Sequence, residues 1–162
     1  MRPKKKTTAS AISTVGLQDS VALAADIAAG ADVNVSDRDG RTPLHAAALE
    51  GIEDATAMLL AAGADPNSRD DGGRTALHFA AAEYHLGVAE QLLNAGAIVD
   101  ASDEHGNTPL FRATFESRGR GGMISLLLRH GADRDHVNRR GVSPRELAFT
   151  ISNFDVKQWF GE

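Results

Sequence analysis

Short apolar stripes recur along this chain, and residues that begin or end helices bound each one. Leu44, Ala47 and Ala48 fall at i, i+3 and i+4, the spacing of a helix that buries one face. Thr42 before them is a good N-cap, and Gly51 after them supplies the left-handed residue that ends many helices. The pattern predicts a short helix between these two residues.

A second stripe follows almost at once. Ala55, Met58 and Leu59 share the same helical spacing, and Gly63 ends this stripe. Residues 64–73 are rich in Asp, Asn and Gly, which favour turns. The sequence therefore predicts a unit composed of turn, helix, loop and helix.

This unit repeats along the chain. The string Thr42-Pro43-Leu44-His45 returns 33 residues later as Thr75-Ala76-Leu77-His78, and after the same step as Thr108-Pro109-Leu110-Phe111. A second string beginning Gly-Ala keeps this step twice, but its fourth copy arrives 35 residues after the third. Two independent strings in one register predict an internal repeat, with a two-residue insertion that we place at 117–122. The Gly-Ala strings begin at Gly30, Gly63, Gly96 and Gly131.

The 33-residue period and the Thr-Pro-Leu-His string resemble the ankyrin repeat. The resemblance implies an all-α solenoid of helix-turn-helix units with β-hairpin-like turns. Full repeats are expected at 37–69, 70–102 and 103–137, with an N-terminal capping unit at 9–36 and a closing unit at 138–160. These units form a single domain at 9–160, and residues 1–8 are predicted to be a disordered basic tail.

Three residues depart from the repeat pattern. Arg145 occupies a leucine position, which fits an end cap whose outer side faces solvent. Tyr84 replaces the glycine that ends the first helix of its unit, so either it adopts a left-handed conformation at a cost of about 1–2 kcal/mol or the turn is rebuilt. Asp26 stands at an apolar position, which predicts loose packing in the first unit.

Charge is spread unevenly. The net charge is −5, yet Arg2, Lys4, Lys5 and Lys6 carry four positive charges, so the remaining chain carries −9. Because phosphate binding needs a basic face, this acidic body disfavours a nucleic-acid partner. The basic tail is either a solubilising end or a nuclear address.

Composition narrows the remaining classes. The chain has no cysteine, so disulfides and thiolate chemistry are excluded. Its start lacks the apolar core of a signal peptide, and the apolar run at 21–31 is too short to span a bilayer. We expect a cytoplasmic protein that is monomeric when free, with no membrane partner.

The histidines do not form a metal-ligand pattern. In proteins that this chain resembles, the histidines at the positions of His45 and His78 hydrogen-bond neighbouring turns. His85 and His130 have no ligand partner at metal-binding spacing. His105 lies at a hairpin tip, where a partner contact is plausible. We predict no cofactor, no metal site, no small-molecule substrate and no enzyme activity.

Two further segments resemble chemical motifs but favour structural roles. Residues 118–122 are Arg-Gly-Arg-Gly-Gly, but they lack the Gly-Lys-Ser/Thr ending of a phosphate-binding loop, so we interpret them as a flexible insertion. Phe154, Trp159 and Phe160 are predicted to seal the last helix pair against water.

The resemblance implies a concave surface made of hairpin tips and the first helix of each unit. Residues outside the repeat signature form two rows there, an apolar one at Leu49, Ala82 and Phe115 and an acidic one beside it. Arg139 and Arg140 occupy the hairpin tip of the closing unit. The predicted partner-binding residues are Arg38, Arg41, Leu49, Glu50, Arg74, Glu83, His105, Asn107, Phe115 and Glu116.

These observations favour a non-catalytic module that captures a protein partner, expected to be basic, through its concave face, and that inhibits or scaffolds it. A narrower version is a toxin-neutralising immunity protein, because the last unit is similar to those of small bacterial ankyrin proteins. The alternative is a nuclear or transcription-linked regulator directed by the basic tail.

Overall fold

A computed structural model of the protein describes residues 19–151 and 156–161. No strand occurs among the described residues, which confirms the all-α repeat architecture. The 1–8 tail and residues 9–18 of the N-terminal capping unit lie outside the described residues. The helices are α1 (Ser20–Ala28), α2 (Pro43–Glu50), α3 (Glu53–Ala61), α4 (Ala76–Glu83), α5 (Leu86–Asn94), α6 (Pro109–Phe115), α7 (Gly122–Arg129) and α8 (Pro144–Thr150), followed by a short 3-10 helix (Lys157–Trp159).

The helices stack in two layers. The inner layer runs α2, α4, α6, α8 and the outer layer runs α1, α3, α5, α7, and each helix packs on the next one in its own layer. Leu44, Leu77 and Leu110 occupy one repeat position in the inner layer, and all three are fully buried. The repeat period therefore becomes a continuous apolar core between the layers.

Hairpin-like turns project from one edge of the stack. Within each turn the residue before the tip donates its N–H to a carbonyl four residues later, as in the 2.9 Å bond from Asp70 to Arg74. Adjacent turns are also joined: Asp71 N–H donates to Asp39 O at 3.0 Å, and Glu104 N–H donates to Gly72 O at 2.9 Å. These bonds hold the turns side by side.

Tyr84 keeps the left-handed conformation of the glycine it replaces, with φ of 64°. Its hydroxyl oxygen lies 2.7 Å from the Ala113 carbonyl oxygen and 2.8 Å from the Arg120 carbonyl oxygen, so its single proton is shared between these two acceptors. The Arg120 guanidinium lies 4.0 Å from the centroid of the ring. These contacts offset the backbone strain of about 1–2 kcal/mol, and they fasten the inserted loop, which runs from 116 to 121 between α6 and α7.

The closing unit is sealed by aromatic residues, as predicted. Phe160 is fully buried, and Trp159 packs so closely over Gly121 that a Cβ there would overlap the indole. Phe154 lies outside the described residues. Arg145 is 37% exposed and pairs with Asp135 at 3.1 Å, which agrees with a leucine position that faces solvent. At the other end, Leu23 is the only fully buried side chain of α1, and this agrees with the loose packing expected around Asp26.

Candidate functional site

The inner helices begin with a cap that also joins neighbouring turns. Thr75 N–H donates to His78 Nδ1 at 3.1 Å, so Nδ1 is the acceptor and the ring proton is on Nε2. His78 Nε2 then donates to the Asn107 carbonyl of the next turn at 3.0 Å. His45 makes the same contacts with Thr42 and with the Arg74 carbonyl. The prediction that both histidines hydrogen-bond neighbouring turns is confirmed.

Burial keeps these imidazoles neutral. Burial lowers the pKa of His78 to about 4, because the hydrogen bond to the Asn107 carbonyl only partly offsets desolvation of the charged form. Burial also lowers the pKa of His45, against the opposing hydrogen bond to the Arg74 carbonyl. Both rings are therefore structural crosslinks with no free nitrogen for a ligand.

A charged pair and an aromatic ring lie next to the cap that Thr75 and His78 form. Arg74 donates to Asp70 Oδ2 from Nε at 3.0 Å and from Nη2 at 2.8 Å. Burial raises the pKa of the Asp70 carboxyl, but the hydrogen bonds from the Arg74 backbone and side chain outweigh burial and lower it overall. The guanidinium groups of Arg74 and Arg41 lie 4.7 and 5.4 Å from the centroid of the Phe79 ring. Two cations and one aromatic face thus form a single cluster.

In the third repeat a helix residue takes over the role of Arg74. Asn107 occupies the position of Arg74, and Asp103 is paired instead with Arg112 of α6, whose Nη2 lies 2.8 Å from Oδ2. Burial raises the pKa of the Asp103 carboxyl, but hydrogen bonds from Arg112 and Asn107 reverse the direction and lower it. The guanidinium of the third repeat therefore projects from the helix face, between two concavities.

The first concavity, the central groove, crosses the first to third repeats and encloses about 270 Å³. It combines arginines, glutamates and apolar side chains on one surface. Its lining residues are Arg41, Leu49, Arg74, His78, Phe79, Ala82, Glu83, Arg112 and Glu116.

The second concavity, the terminal cleft, lies between the third repeat and the closing unit and encloses about 510 Å³. It shares Arg112 with the central groove, so the two form one continuous surface. Phe111 stands where the earlier repeats have a histidine, and Phe115, one turn later on α6, is 59% exposed. The lining residues are His105, Asn107, Phe111, Arg112, Phe115, Asn138, Arg140, Val142, Leu147 and Thr150.

The central groove contains half of the predicted partner-binding residues. Leu49, Glu83 and Glu116 line it, as do Arg41 and Arg74. Asp70 and Phe79 hold the side chains of the two arginines in the groove, at 34% and 35% exposure. Glu50 is exposed, but it lies outside the groove, in a depression formed by residues 50–54.

The remaining predicted residues divide between the terminal cleft and the hairpin tips. Phe115 and His105 line the cleft, and Arg38 is exposed at the first tip. Asn107 also lines the cleft, but its side chain is held within the turns. It is 7% exposed, its amide donates to Asp103 Oδ2 at 3.3 Å, and its Oδ1 accepts a 2.8 Å bond from Asn138. Asn107 therefore joins adjacent turns.

Several lining residues were not among the predicted partner-binding residues, including Phe79, Phe111, Arg112, Val142 and Leu147. One signal for Phe111 was present in the sequence, because phenylalanine there breaks the repeat signature. Arg112 could have been noticed when Asn107 replaced the arginine of the preceding repeat. Val142 and Leu147 line the cleft because the closing unit packs against α6, and Phe79 meets Arg41 of the preceding repeat; neither arrangement has a local signal in the sequence.

Two absences apply to the described part of the chain. No group of three or more His, Asp or Glu side chains there is placed to hold a metal ion. No helix there is long and apolar enough to cross a membrane.

Comparison with known families gives one result. A family model for ankyrin repeats, in three copies, matches residues 4–70 and 53–140. The two matches overlap and together span most of the chain. A search of curated protein sequences found no match.

Proposed function

We propose, from the premise that this chain belongs to the ankyrin-repeat family, that it is a non-catalytic module that captures one protein partner through the central groove and the terminal cleft. Ankyrin repeats are protein–protein interaction modules. The observation that carries the proposal is the continuous concave surface on which Phe79, Phe115 and four arginines lie together. Aromatic and arginine side chains in a partly desolvated concavity are the residues that dominate protein interfaces.

The charge of the central groove supports a basic partner element. Its three guanidinium groups lie among four carboxylates, two of which, Asp70 and Asp103, are bound to Arg74 and Arg112. The other two carboxylates are Glu83 and Glu116. Four carboxylates against three guanidinium groups give the groove a net charge of −1, and the chain without its basic tail has a net charge of −9. Complementary charge raises the association rate and orients the partner.

We further propose that capture inhibits the partner, as a toxin-neutralising immunity protein would, and that this occurs in the cytoplasm. An acidic body that binds a basic protein suits the blocking of a protein that acts on nucleic acid. The alternative, a nuclear regulator, rests on the basic segment at Lys4, Lys5 and Lys6. A fluorescent fusion would separate the two, because nuclear accumulation that disappears when all three lysines become alanine supports the alternative.

The test begins with affinity purification of the partner from the source cell by the full chain, followed by surface plasmon resonance with the purified partner. We expect Glu83→Lys to slow association and to weaken its dependence on salt. Glu90→Ala and Asn94→Ala, exposed on the outer helix α5, serve as matched controls and should change neither.

Hydrogen exchange of the complex gives the opposing outcome. Protection confined to the outer helices α3, α5 and α7, with the inner helices and turns unaffected, contradicts binding in the groove.

A further inference from the structure

The terminal cleft differs from the rest of the concave surface because one hydrogen-bonding side chain is replaced there. In the two preceding repeats a histidine occupies this inner-helix position and bonds the next turn. Phe111 has no such nitrogen, and Thr108 caps the helix only through its side chain, which accepts from Phe111 N–H at 3.3 Å. The space between α6 and α8 is consequently not spanned by an imidazole, and the Phe111 side chain contributes only carbon to its lining.

The size and lining of the cleft fit an inserted side chain. Its volume of about 510 Å³ lies in the range of sites that enclose small molecules or peptide anchors. Phe111 and Phe115 form one wall, and Val142 and Leu147 of the closing unit form the facing one. Phe115 keeps 59% of its surface exposed, so a bulky apolar side chain placed against it gains from burying that ring.

The charged side chains that line the cleft have one sign. No Asp or Glu is among the described residues that line the cleft, whereas Arg112 and Arg140 both line it. Arg112 is bound to Asp103 at 2.8 Å, and Arg140 is exposed. On a body of net charge −9, a cleft with a cationic rim is a local exception. An apolar side chain followed by a lysine is therefore disfavoured, and a neighbouring carboxylate is favoured by Arg140.

We propose that the terminal cleft binds a segment of the protein partner in which a large apolar side chain is adjacent to an acidic residue. This proposal rests on the proposed function and adds to it the orientation of the partner along the stack. The basic element of the partner meets Glu83 and Glu116 in the central groove, and its apolar–acidic segment meets Phe115 and Arg140. The partner is thus oriented along the stack by both signs of charge.

The test uses a phage-displayed library of random linear peptides, selected against the full chain. Peptides that combine Leu, Phe or Met with a neighbouring Asp or Glu should be enriched. An enriched peptide is then synthesised with a fluorescein label and titrated by fluorescence anisotropy. Phe115→Ala and Arg140→Glu should each lower its affinity by about tenfold or more.

Matched controls separate the cleft from general effects. Phe149→Ala removes another exposed phenylalanine, and Arg129→Glu makes the same charge change at the end of α7, outside the cleft. Both should leave affinity within about twofold of the parent. In the peptide, exchange of Asp or Glu for Asn or Gln should weaken binding to the parent chain but not to the Arg140→Glu variant.

Three outcomes overturn the proposal: no enrichment, enrichment of basic peptides, or peptide binding that Phe115→Ala and Arg140→Glu leave unchanged. The proposed function is judged separately. If Glu83→Lys slows capture of the purified partner while both cleft variants have no effect, the groove function stands and the cleft proposal fails.

Discussion

Two junctions between adjacent units of the stack differ in how the inner helix is bonded to the next turn. Between the second and third repeats, His78 accepts from the Thr75 N–H and donates to the Asn107 carbonyl. Between the third repeat and the closing unit, Phe111 occupies the same position and makes neither bond. The first junction is filled by a buried imidazole, and the second opens into the terminal cleft. Repeat positions that keep the signature thus hold adjacent units together, and the position that loses it exposes an apolar surface.

The outer edge of the stack shows the same contrast. Asn34 donates to the Gly63 carbonyl at 3.1 Å and accepts from Asp65 N–H at 2.9 Å, and Asn67 repeats this arrangement one unit later. Asp100 takes the place of these asparagines and accepts from Asp133 N–H at 3.0 Å. A carboxylate has no N–H to give to the Gly131 carbonyl. At this outer edge the second repeat is thus less completely bonded to the third, whereas at the inner helices the weaker junction is between the third repeat and the closing unit.

The largest effect is expected from His78→Phe, which copies the third repeat into the second. The change leaves the buried Thr75 N–H and Asn107 carbonyl without the imidazole, which should lower the free energy of unfolding by about 2–4 kcal/mol. Urea denaturation followed by circular dichroism measures it. His130→Phe, at an exposed position, is the control and should change stability by less than about 0.5 kcal/mol. A loss no greater than this for His78→Phe would show that the bonds of the imidazole are not what holds this junction.

Acid should weaken the regular junctions next. The pKa of His78 is about 4 in the folded protein and 6.5 in the unfolded chain, so the unfolded chain binds more protons below pH 6.5. Stability is full above pH 6.5 and falls as the pH falls toward 4. His78 alone should account for a loss of about 2 kcal/mol between pH 7 and pH 5, and His45 acts in the same direction.

The paired carboxylates change the stability of the fold with pH only at lower pH than the histidines do. The pKa values of Asp70 and Asp103 are lowered in the fold from 3.8, so their contribution is present above that value and is lost below it. Denaturant midpoints measured between pH 7 and pH 5 therefore isolate the histidines. His78→Gln should flatten this part of the curve, and an unchanged slope would contradict the assignment.

The reverse substitution, Phe111→His, should restore the regular junction. An imidazole there is placed to bond the Thr108 cap and the Val142 carbonyl, which corresponds to the carbonyls of Arg74 and Asn107. We expect a gain of about 1 kcal/mol in the free energy of unfolding, together with loss of the peptide binding proposed for the cleft. Phe115→His, one turn away and without a cap to complete, should give no gain in stability.

The smallest effect is expected from Asp100→Asn, which extends the outer ladder by one step. The new amide can donate to the Gly131 carbonyl and still accept from Asp133 N–H, so stability should rise by about 0.5–1 kcal/mol. Thermal unfolding followed by circular dichroism detects such a gain. Asn67→Asp, the reverse change in the first repeat, should lose a comparable amount, and equal stabilities for all three chains would contradict this account of the ladder.

How far the sequence predicts this molecule depends on how local each feature is. The caps, helix ends and repeat period are encoded within a few residues, so the fold, the histidine bonds and the buried Phe160 were predictable. The position of the Arg41 side chain was not, because it turns toward Asp70 and Phe79 of the next repeat, contacts that only stacking creates. The bond between Asn107 and Asn138 of the closing unit likewise arises only when the units stack.

The terminal cleft was the least predictable region. Phe115 was expected to be exposed on the concave face, but its facing wall comes from Val142 and Leu147 in another unit. Which wall a side chain faces depends on the packing of the closing unit, and no pattern within the third repeat reports it.

The Tyr84 hydroxyl also affects which repeats unfold cooperatively. In a stack of repeats, stability is a sum of unit and nearest-neighbour terms, and single units can detach. Tyr84 holds its left-handed backbone in the second repeat, whereas both carbonyls that compensate it belong to the third. Detachment of the third repeat therefore leaves the second one strained, so the two form one cooperative unit. A truncated chain that stops at residue 102 should retain the strain without its compensation, and Tyr84→Gly in that fragment should stabilise it more than the same change stabilises the whole protein.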